Sequence, residues 1–457
     1  MNTSSAQISP NTQRTGVALG DRPPWLLCSW IGLQHFLAVF GGIVTAPLLI
    51  ALGMGLNTPD TTYLISSSLL ISGVATAIQI WRFGPVGSGL LSIQGTSFSF
   101  VGPLIYLYHN AQGSAPDVIL GRIFVACMIG ALIMMVLSRF IDRLRRIITQ
   151  NVAGVTVLLL GLTLIWATIG TLIRSYQNAI SNQLPGWHVV LMATAVFTTI
   201  VVVSRLPGRW LRPSCIVIGL GVGFALAAVF GALQPVAPPA NASNWFVPEL
   251  ARFPLSVDMT MVLVLLPIFI VSATESVGDL TATADLSGLP IGDKPFWQRI
   301  KGGILADAIN SCIAAAFSTF PNTTFSQNNG VIRMTGVSSR RVGLVVAALL
   351  VLAGSVPSVA RLVQVLPDSV IAGATLLMFI MVTVSGWHIV QGAKPATRDW
   401  LIVAIAIAGG LSLAQIAPML DMLPTPVTSV IGFPVSSGAF IAMLLELVIP
   451  KHALNGD

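Results

Sequence analysis

Fourteen runs of mostly apolar residues follow one another along the chain, at 25–50, 61–81, 86–108, 118–138, 148–173, 187–204, 213–233, 258–280, 300–318, 326–337, 342–360, 367–388, 399–420 and 430–449. Most are about 20 residues long, the length a helix needs to cross the hydrocarbon core of a bilayer. Lipid offers backbone groups no partners, so spanning segments are helices or strands of a closed barrel. Long apolar runs without strict alternation exclude the barrel. Only 9% of the 457 residues are charged and 54% are hydrophobic, whereas soluble domains carry about 25% charged residues. The chain therefore reads as an all-α polytopic membrane protein. Its four cysteines (Cys28, Cys127, Cys215, Cys312) lie in or beside apolar runs without CxxC spacing and read as small core hydrophobes.

Two of the fourteen segments are irregular. The tenth is too short for a regular span and lies in Thr319–Gly343, where Asn322, Thr323, Thr324, Ser326, Gln327, Asn328 and Asn329 crowd together. The third opens with Gly84-Pro85-Val86-Gly87-Ser88-Gly89 and carries SIQGTSFSF (Ser92–Phe100) at its centre. Its mixture of Gly, small hydroxyl residues, Phe and Ile suits a short extended piece. Amides and hydroxyls at this density, between membrane-grade runs, mark irregular backbone lining a cavity. The two segments are third of the first seven and third of the second seven. Interrupted spans in matching positions point to inverted repeats with a solute site between them.

Lys and Arg orient the chain. With the N-terminus inside, inside loops and tails hold 19 of the 23 basic residues, including Arg82, Arg139/Arg143/Arg145/Arg146, Arg205/Arg209/Arg212, Lys294/Arg299/Lys301, Arg333/Arg340/Arg341 and Lys394/Arg398. Arg122, Arg174, Arg252 and Arg361 fall outside. Both termini are then cytoplasmic, residues 1–24 form a disordered tail, and the net charge of +7 needs no nucleic-acid partner.

Ionisable groups inside spans are functional candidates by default. Glu275 lies deep in the eighth span, Asp279 follows one turn later on the same face, and Asp307 sits in the ninth. Glu446, in the last span, lacks polar company in sequence and reads as interfacial. His35, beside Gln34, is the one histidine well inside a span. In the third segment Gln94, Thr96 and Ser97 could reach a ligand, although Gln94 and Ser97 would face opposite sides of an extended piece. A Gln amide pairs with a cis N–H/C=O edge, which together with a carboxylate, an Asn and neighbours such as Phe98 and Phe325 suits a flat neutral heterocycle. No His/Cys cluster suggests a metal. No nucleotide loop suggests ATP-driven pumping, and no nucleophile constellation suggests an enzyme. The reading needs no cofactor beyond a co-transported cation.

QNNGVIRMTG (Gln327–Gly336) resembles the signature of the nucleobase–ascorbate transporter family, the second type of nucleobase:cation symporter. GSGLLSIQGTSFSF, ATESVGDLTATADLS, KGGILADAINS and LQHFLAVF resemble its bacterial purine branch, and the likeness runs from about Asp21 to Pro450. The resemblance implies two inverted repeats of seven segments, with short antiparallel strands in segments 3 and 10. It implies a core domain (25–138 and 258–360), a gate domain (139–233 and 361–449), an external linker (234–257) and a C-terminal tail (450–457). It also implies proton-coupled uptake across the bacterial inner membrane, commonly by a homodimer. By position, Glu275 and Gln327 would hold a purine, Asp307 would couple the proton, and Asn328 would shape the site. His35 would support it, Ser97 would tune ligand range, and a backbone amide near Phe98 could touch substrate. Gln327 at the first motif position resembles xanthine/uric-acid carriers, whereas uracil carriers have Glu there. Ser97 departs from the Asn of some xanthine-selective relatives, so xanthine and uric acid both stay open. Transport of uracil or another nucleobase, or an anion carrier or channel of the related inverted-repeat fold, remain the alternatives.

The charge asymmetry makes a direct prediction. Cysteines introduced in the Arg139–Arg146 loop should be protected from an impermeant thiol reagent in intact cells, and cysteines in Gln234–Asp258 should be labelled. The opposite pattern would reverse the orientation.

Overall fold

The computed structural model describes residues 17–449, apart from 112, 141–148, 182–184, 209, 237–243, 393–394, 417–418, 420–426 and 429–430. Arg14, Arg143, Arg145, Arg146, Arg209, Lys394 and Lys451 of the predicted inside set therefore lie outside the described residues, as do residues 1–16 and 450–457 of the tails.

The first half runs α1 (Trp25–Met54), α2 (Thr58–Trp81), β1 (Gln94–Thr96), a 3-10 turn (Phe98–Phe100), α3 (Val101–Asn110), α4 (Pro116–Ser138), α5 (Gln150–Ser181), α6 (Trp187–Arg205) and α7 (Cys215–Val229). The second half runs α8 (Met259–Leu286), α9 (Lys294–Ala316), β2 (Asn322–Thr324), α10 (Gln327–Thr335), α11 (Arg340–Gly354), α12 (Pro357–Gln364), α13 (Asp368–Gly392), α14 (Thr397–Ile416) and α15 (Pro434–Val448). Among the described residues, eight helices are individually long and apolar enough to cross a membrane, and α7 and α15 are shorter apolar helices. Each of the fourteen predicted segments has its counterpart. The extended pieces expected in segments 3 and 10 are β1 and β2, which form one antiparallel two-stranded sheet. The eleventh segment differs from expectation. It is not one span over 342–360 but α11 and α12, bent by 75° at a break before Pro357. Proline has no N–H to donate and is best placed in the first turn of a helix; although α1 and α8 carry Pro47 and Pro267 in their interiors, Pro357 opens α12.

Helix packing follows an inverted-repeat pattern. α2 packs on α11 as α9 packs on α4, α1 on α11 as α8 on α4, and α6 on α7 as α14 on α15. These are pairs related by a shift of seven segments. Two pairings map onto themselves under that shift, β1 with β2 and α5 with α13. The result is two packing groups, α1–α4 with α8–α12 and the strands, and α5–α7 with α13–α15. They meet through α1 against α7 and α13, and through α8 against α5 and α15. Close approach inside each group rests on small residues, as membrane packing requires. A methyl group at Gly354 would meet the Leu70 backbone, and one at Gly386 the Leu158 backbone.

The loops sort to two ends of the molecule. Gly87 donates to Gly302 O (2.8 Å), Arg299 to Ser88 O (3.0 Å) and Arg340 to Gly89 O (2.8 Å) at one end. At the other, Tyr63 donates to Phe317 O (3.0 Å) and Arg252 pairs with Asp60 (3.0 Å). The end of the N-terminal tail is better held than its composition suggests. Ser338 N donates to Val17 O (3.0 Å), Ser339 Oγ to Asp21 O (2.8 Å), and the Arg341 guanidinium lies 5.2 Å from the Trp25 ring centre.

Glu446 also departs from expectation. It is not an isolated interfacial acid. Arg398, only 4% exposed, pairs with it at 2.9 Å and also donates to Ile449 O (2.7 Å). Asn151 donates to both Glu446 (2.7 Å) and Asp399 (2.9 Å), and Thr149 donates to Glu446 (2.8 Å). The network ties α5, α14 and α15 together, with partners drawn from segments hundreds of residues apart. Arg398→Ala should therefore cost about 3–5 kcal/mol, because it leaves a buried carboxylate without its cation. The fall in Tm should be largely reversed in Arg398→Met/Glu446→Leu. Equal melting of Arg398→Ala and the parent in detergent would show that the pair contributes nothing.

Candidate functional site

The crossing of β1 and β2 positions the site. Gln94 pairs with Thr324, Gly95 with Thr323 and Thr96 with Asn322. Flanking bonds from Ser97 N to Pro321 O and from Phe325 N to Ile93 O, both 2.9 Å, extend the ladder. Each strand then runs into a helix start, the 3-10 turn and α3 on one side and α10 on the other. The partial positive ends of both helices face the centre of the molecule. Glycine is needed at the crossing itself. Side chains at Gly42 or Gly95 would overlap the Phe325 ring, which lies 6.0 Å from Phe98, while Phe98 meets Phe379 edge-on at 5.4 Å.

α8 runs past the strands with Ser272, Glu275, Ser276, Asp279 and Thr283 on successive turns. Ser97 Oγ lies 3.4 Å from Ser272 Oγ, and Ser99 donates to Glu275 Oε2 (3.2 Å). Thr324 donates to Asp279 Oδ2 (3.3 Å), and Thr283 donates to Asn329 Oδ1 (2.6 Å). Asp307, 8% exposed, accepts from Ser276 on one oxygen and from Gln79 (3.3 Å) on the other. Ser276 in turn contacts Thr323 at 2.9 Å. The carboxylates of Glu275, Asp279 and Asp307 are within electrostatic reach of one another. Burial of like charges this close is costly unless some are neutral or compensated.

His35 and Asn328 form a second buried unit. Asn328 Nδ2 donates to Leu91 O, so its Oδ1 accepts, and it lies 2.7 Å from His35 Nδ1. His35 then carries its proton on Nδ1, and Nε2 is left as a buried acceptor without a protein partner among the described residues. Gln94 is wholly buried, with its amide turned toward the Asp307 carboxylate.

A cavity of about 390 Å³ opens between the two packing groups. Ser326, Gln327 and Gly330 line it from α10 and its approach, Ala38 from α1, Arg212 and Ile216 from around α7, and Met378 and Ser385 from α13. Of the predicted site residues, Gln327 lies on this wall. Glu275, Asp307, His35, Asn328, Ser97 and Phe98 are not among the residues lining it and lie at or beside the strands. Toward the far end of α1 the groups close against each other, leaving about 10 Å³ among Gly41, Val44, Leu220 and Ile371. No group of three or more His, Cys, Asp or Glu is placed to hold a metal among the described residues.

Gln79, Ser99, Ser276 and Phe379 escape the sequence reading, whereas Thr323, Thr324 and Asn329 belong to the polar crowd it singles out and only their partners are not legible there. Gln79 carried a usable signal, an amide inside the apolar run GVATAIQIW. Phe379 carried none, being one apolar residue in an apolar span.

Fourteen segments in inverted repeats, a strand crossing between them and a cavity between two packing groups define a membrane carrier. The same fold occurs in the transmembrane domain of the cyanobacterial bicarbonate transporter BicA (TM-score 0.62, 13% identity, covering 91% of this chain and 100% of that one). It occurs also in SLC26A9 (TM-score 0.59, 12% identity, 92% of this chain and 65% of that one). At these identities the likeness is one of fold alone. The chain belongs to the Xan_ur_permease family, a permease family, which it matches over residues 28–419. It is 38% identical over 452 residues to the xanthine permease XanP of Escherichia coli, covering 98% of both chains. It is 33% identical to XanQ of the same organism (94% of this chain, 93% of the other). With the uric acid-xanthine permease of Emericella nidulans the identity is 32% (95% and 83%). These relatives are permeases and not enzymes.

Asn328→Ala should strip His35 Nδ1 and Leu91 O of their partner together, at about 1–3 kcal/mol for each group left unpaired. We expect a lower Tm, with non-additive losses when Asn328→Ala is combined with His35→Ala. Additive losses would mean that the two residues act separately.

Proposed function

We propose that this permease imports a purine nucleobase, xanthine and/or uric acid, together with a proton, by alternating access. One observation carries the reading: near-full-length similarity to xanthine and uric acid-xanthine permeases, in a chain whose Gln327 amide lines the cavity and whose α8 and α9 carry one buried carboxylate, Asp307, and two half-buried ones, Glu275 and Asp279. Gln327 and Glu275 are the proposed contacts to the ring, with a backbone amide near Phe98. Asn328 and His35 hold the shape of the site, and Ser97 tunes the range of ligands. Asp307 is the proposed coupling residue. Its burial behind the strands, with Ser276 and Gln79 as partners, suits a group that exchanges a proton without touching substrate. Glu275 shares in this coupling, and Asp279 and Gln94 support the acidic cluster. The anion-carrier alternative draws only on the shared fold. Carboxylates around the crossing disfavour a small inorganic anion, whereas an amide and a carboxyl group pair with the C=O and N–H edges of a flat heterocycle. We place the protein in the bacterial inner membrane with both termini in the cytoplasm, as a homodimer. In that orientation the cavity opens inward.

Neutral xanthine gains no drive from membrane potential, and urate, an anion at neutral pH, is opposed by a negative-inside potential, so accumulation requires the co-transported cation. Uptake should rise with an inward proton gradient and vanish with a protonophore. Gln327→Ala should weaken purine binding by about tenfold or more, the equivalent of one buried hydrogen-bonding group left unpaired. Gln327→Glu should shift preference away from oxidised purines. Glu275→Gln should weaken binding, whereas Asp307→Asn should bind purine in calorimetry yet fail to accumulate it. Gradient-driven accumulation by Asp307→Asn would remove Asp307 from the coupling role. A competition panel of xanthine, uric acid, guanine, hypoxanthine and uracil would define the substrate.

A further inference from the structure

The cavity at Gln327 shares Arg212 and Met334 with a second and larger one, about 870 Å³, nearer the start of α1. Trp30, Ile31 and Gln34 line it from α1, and Trp210 and Arg212 from the segment between α6 and α7. Along α1, Leu27, Ile31, Gln34 and Ala38 are three or four residues apart and so share one face. That face leads from the outer vestibule into the inner cavity.

Two features of the vestibule look toward a ligand. Gln34 is 95% buried (5% exposed) and lines the cavity with the rest of its side chain, while its Oε1 is enclosed by protein and has no partner there among the described residues. A buried amide oxygen left unpaired is costly, and native proteins keep such groups for something that fills them. Beside it, the Trp30 and Trp210 rings lie 4.6 Å apart at 59°, yet remain 55% and 36% exposed. Large indoles of this exposure offer π-faces for stacking. Arg212 adds a guanidinium that only donates.

We propose that this vestibule is a second, transient binding site for the transported purine, occupied between the inner cavity and the end of the molecule where α1 begins. The ring stacks on the Trp30/Trp210 pair. The Gln34 amide turns about its last torsion to bring Oε1 to the cavity side, where it accepts from a ring N–H, and a ring carbonyl accepts from Arg212. Other ligands use fewer of these groups: an acyl chain leaves Gln34 unpaired, and a small anion engages Arg212 but gains nothing from two indoles. Trp30 belongs to one packing group and Trp210 to the other, so the site is complete only while the groups meet as they do here. The purine would then be released toward the cytoplasm in two stages.

This inference rests on the purine reading, and the test separates the two. The full-length protein is photolabelled in detergent with an azidopurine, and the labelled peptides are mapped by mass spectrometry. Label is expected both near Gln327 and on the peptides holding Trp30 and Trp210. Gln327→Ala should lose the inner label and keep the outer one. Gln34→Leu and Trp210→Ala should each cut the outer label about tenfold, in line with the loss of one stacked or paired contact, while the inner label persists. Trp210→Phe, which preserves a stacking face, should retain most of the outer label and controls for folding. Inner label alone in the parent protein, or outer label indifferent to Gln34→Leu and Trp210→Ala, would overturn the second site but leave the purine reading intact. No label anywhere would remove both.

Discussion

The pairing of β1 with β2 is the constraint on which the rest of the structure depends. Two stretches of non-helical backbone lie in the middle of a chain built for lipid, where each unpaired N–H and C=O costs several kcal/mol. Neither stretch can satisfy itself. Gln94–Thr96 and Asn322–Thr324 therefore satisfy each other, across more than 200 residues of sequence. Because one strand comes from each repeat, the pairing also sets the two repeats against one another, and the packing of α2 on α11 repeats that of α9 on α4. From that crossing follow the two inward-pointing helix starts, the Phe325 ring seated against Gly42 and Gly95, and the arrival of Ser99, Thr323 and Thr324 at the face of α8.

The same scaffold holds carriers of different cargo. A bicarbonate transporter shares this fold at 13% identity, so the backbone does not choose the solute. In the proposed reading the choice falls to side chains on the strands, α8 and α10. Here those include three carboxylates, each held by a hydroxyl or amide from another segment: Glu275 by Ser99, Asp279 by Thr324, Asp307 by Ser276 and Gln79. Such partners accept or release a hydrogen bond as the acid changes its proton, and so keep the buried charge tolerable in more than one state.

The two packing groups are each more strongly knit than the seam between them. The Arg398–Glu446–Asn151 network and the glycine-mediated contact of α5 with α13 bind one group. The strand pair, the Arg252–Asp60 bridge and the Arg299 and Arg340 contacts to Ser88 and Gly89 bind the other. Between them, the far end of α1 is closed while its near end lines two connected cavities. That distribution suits rigid bodies that rock about a fixed site.

The sequence by itself determined the membrane class, the fourteen segments, the two irregular ones and the depth of Glu275, Asp279 and Asp307. Apolar run length and the cost of charge in lipid are local properties, readable one segment at a time. It also carried the family signature at Gln327–Gly336. Only the tertiary structure decided which polar groups meet. Ser276 and Gln79 reach Asp307 from different helices, and the partner of His35 is 293 residues away. Glu446, alone in its span, is paired by Arg398 because α14 and α15 pack side by side, which no local pattern encodes. The break at Pro357 bends a run that reads as one apolar span, because apolarity does not register a missing N–H donor. The same holds for Gln94 and Gln327, two amides in two irregular segments: the fold buried one beside Asp307 and put the other on the cavity wall. Alternation along a strand can say that neighbours face apart, but only packing decides which side is protein and which is the path for a solute.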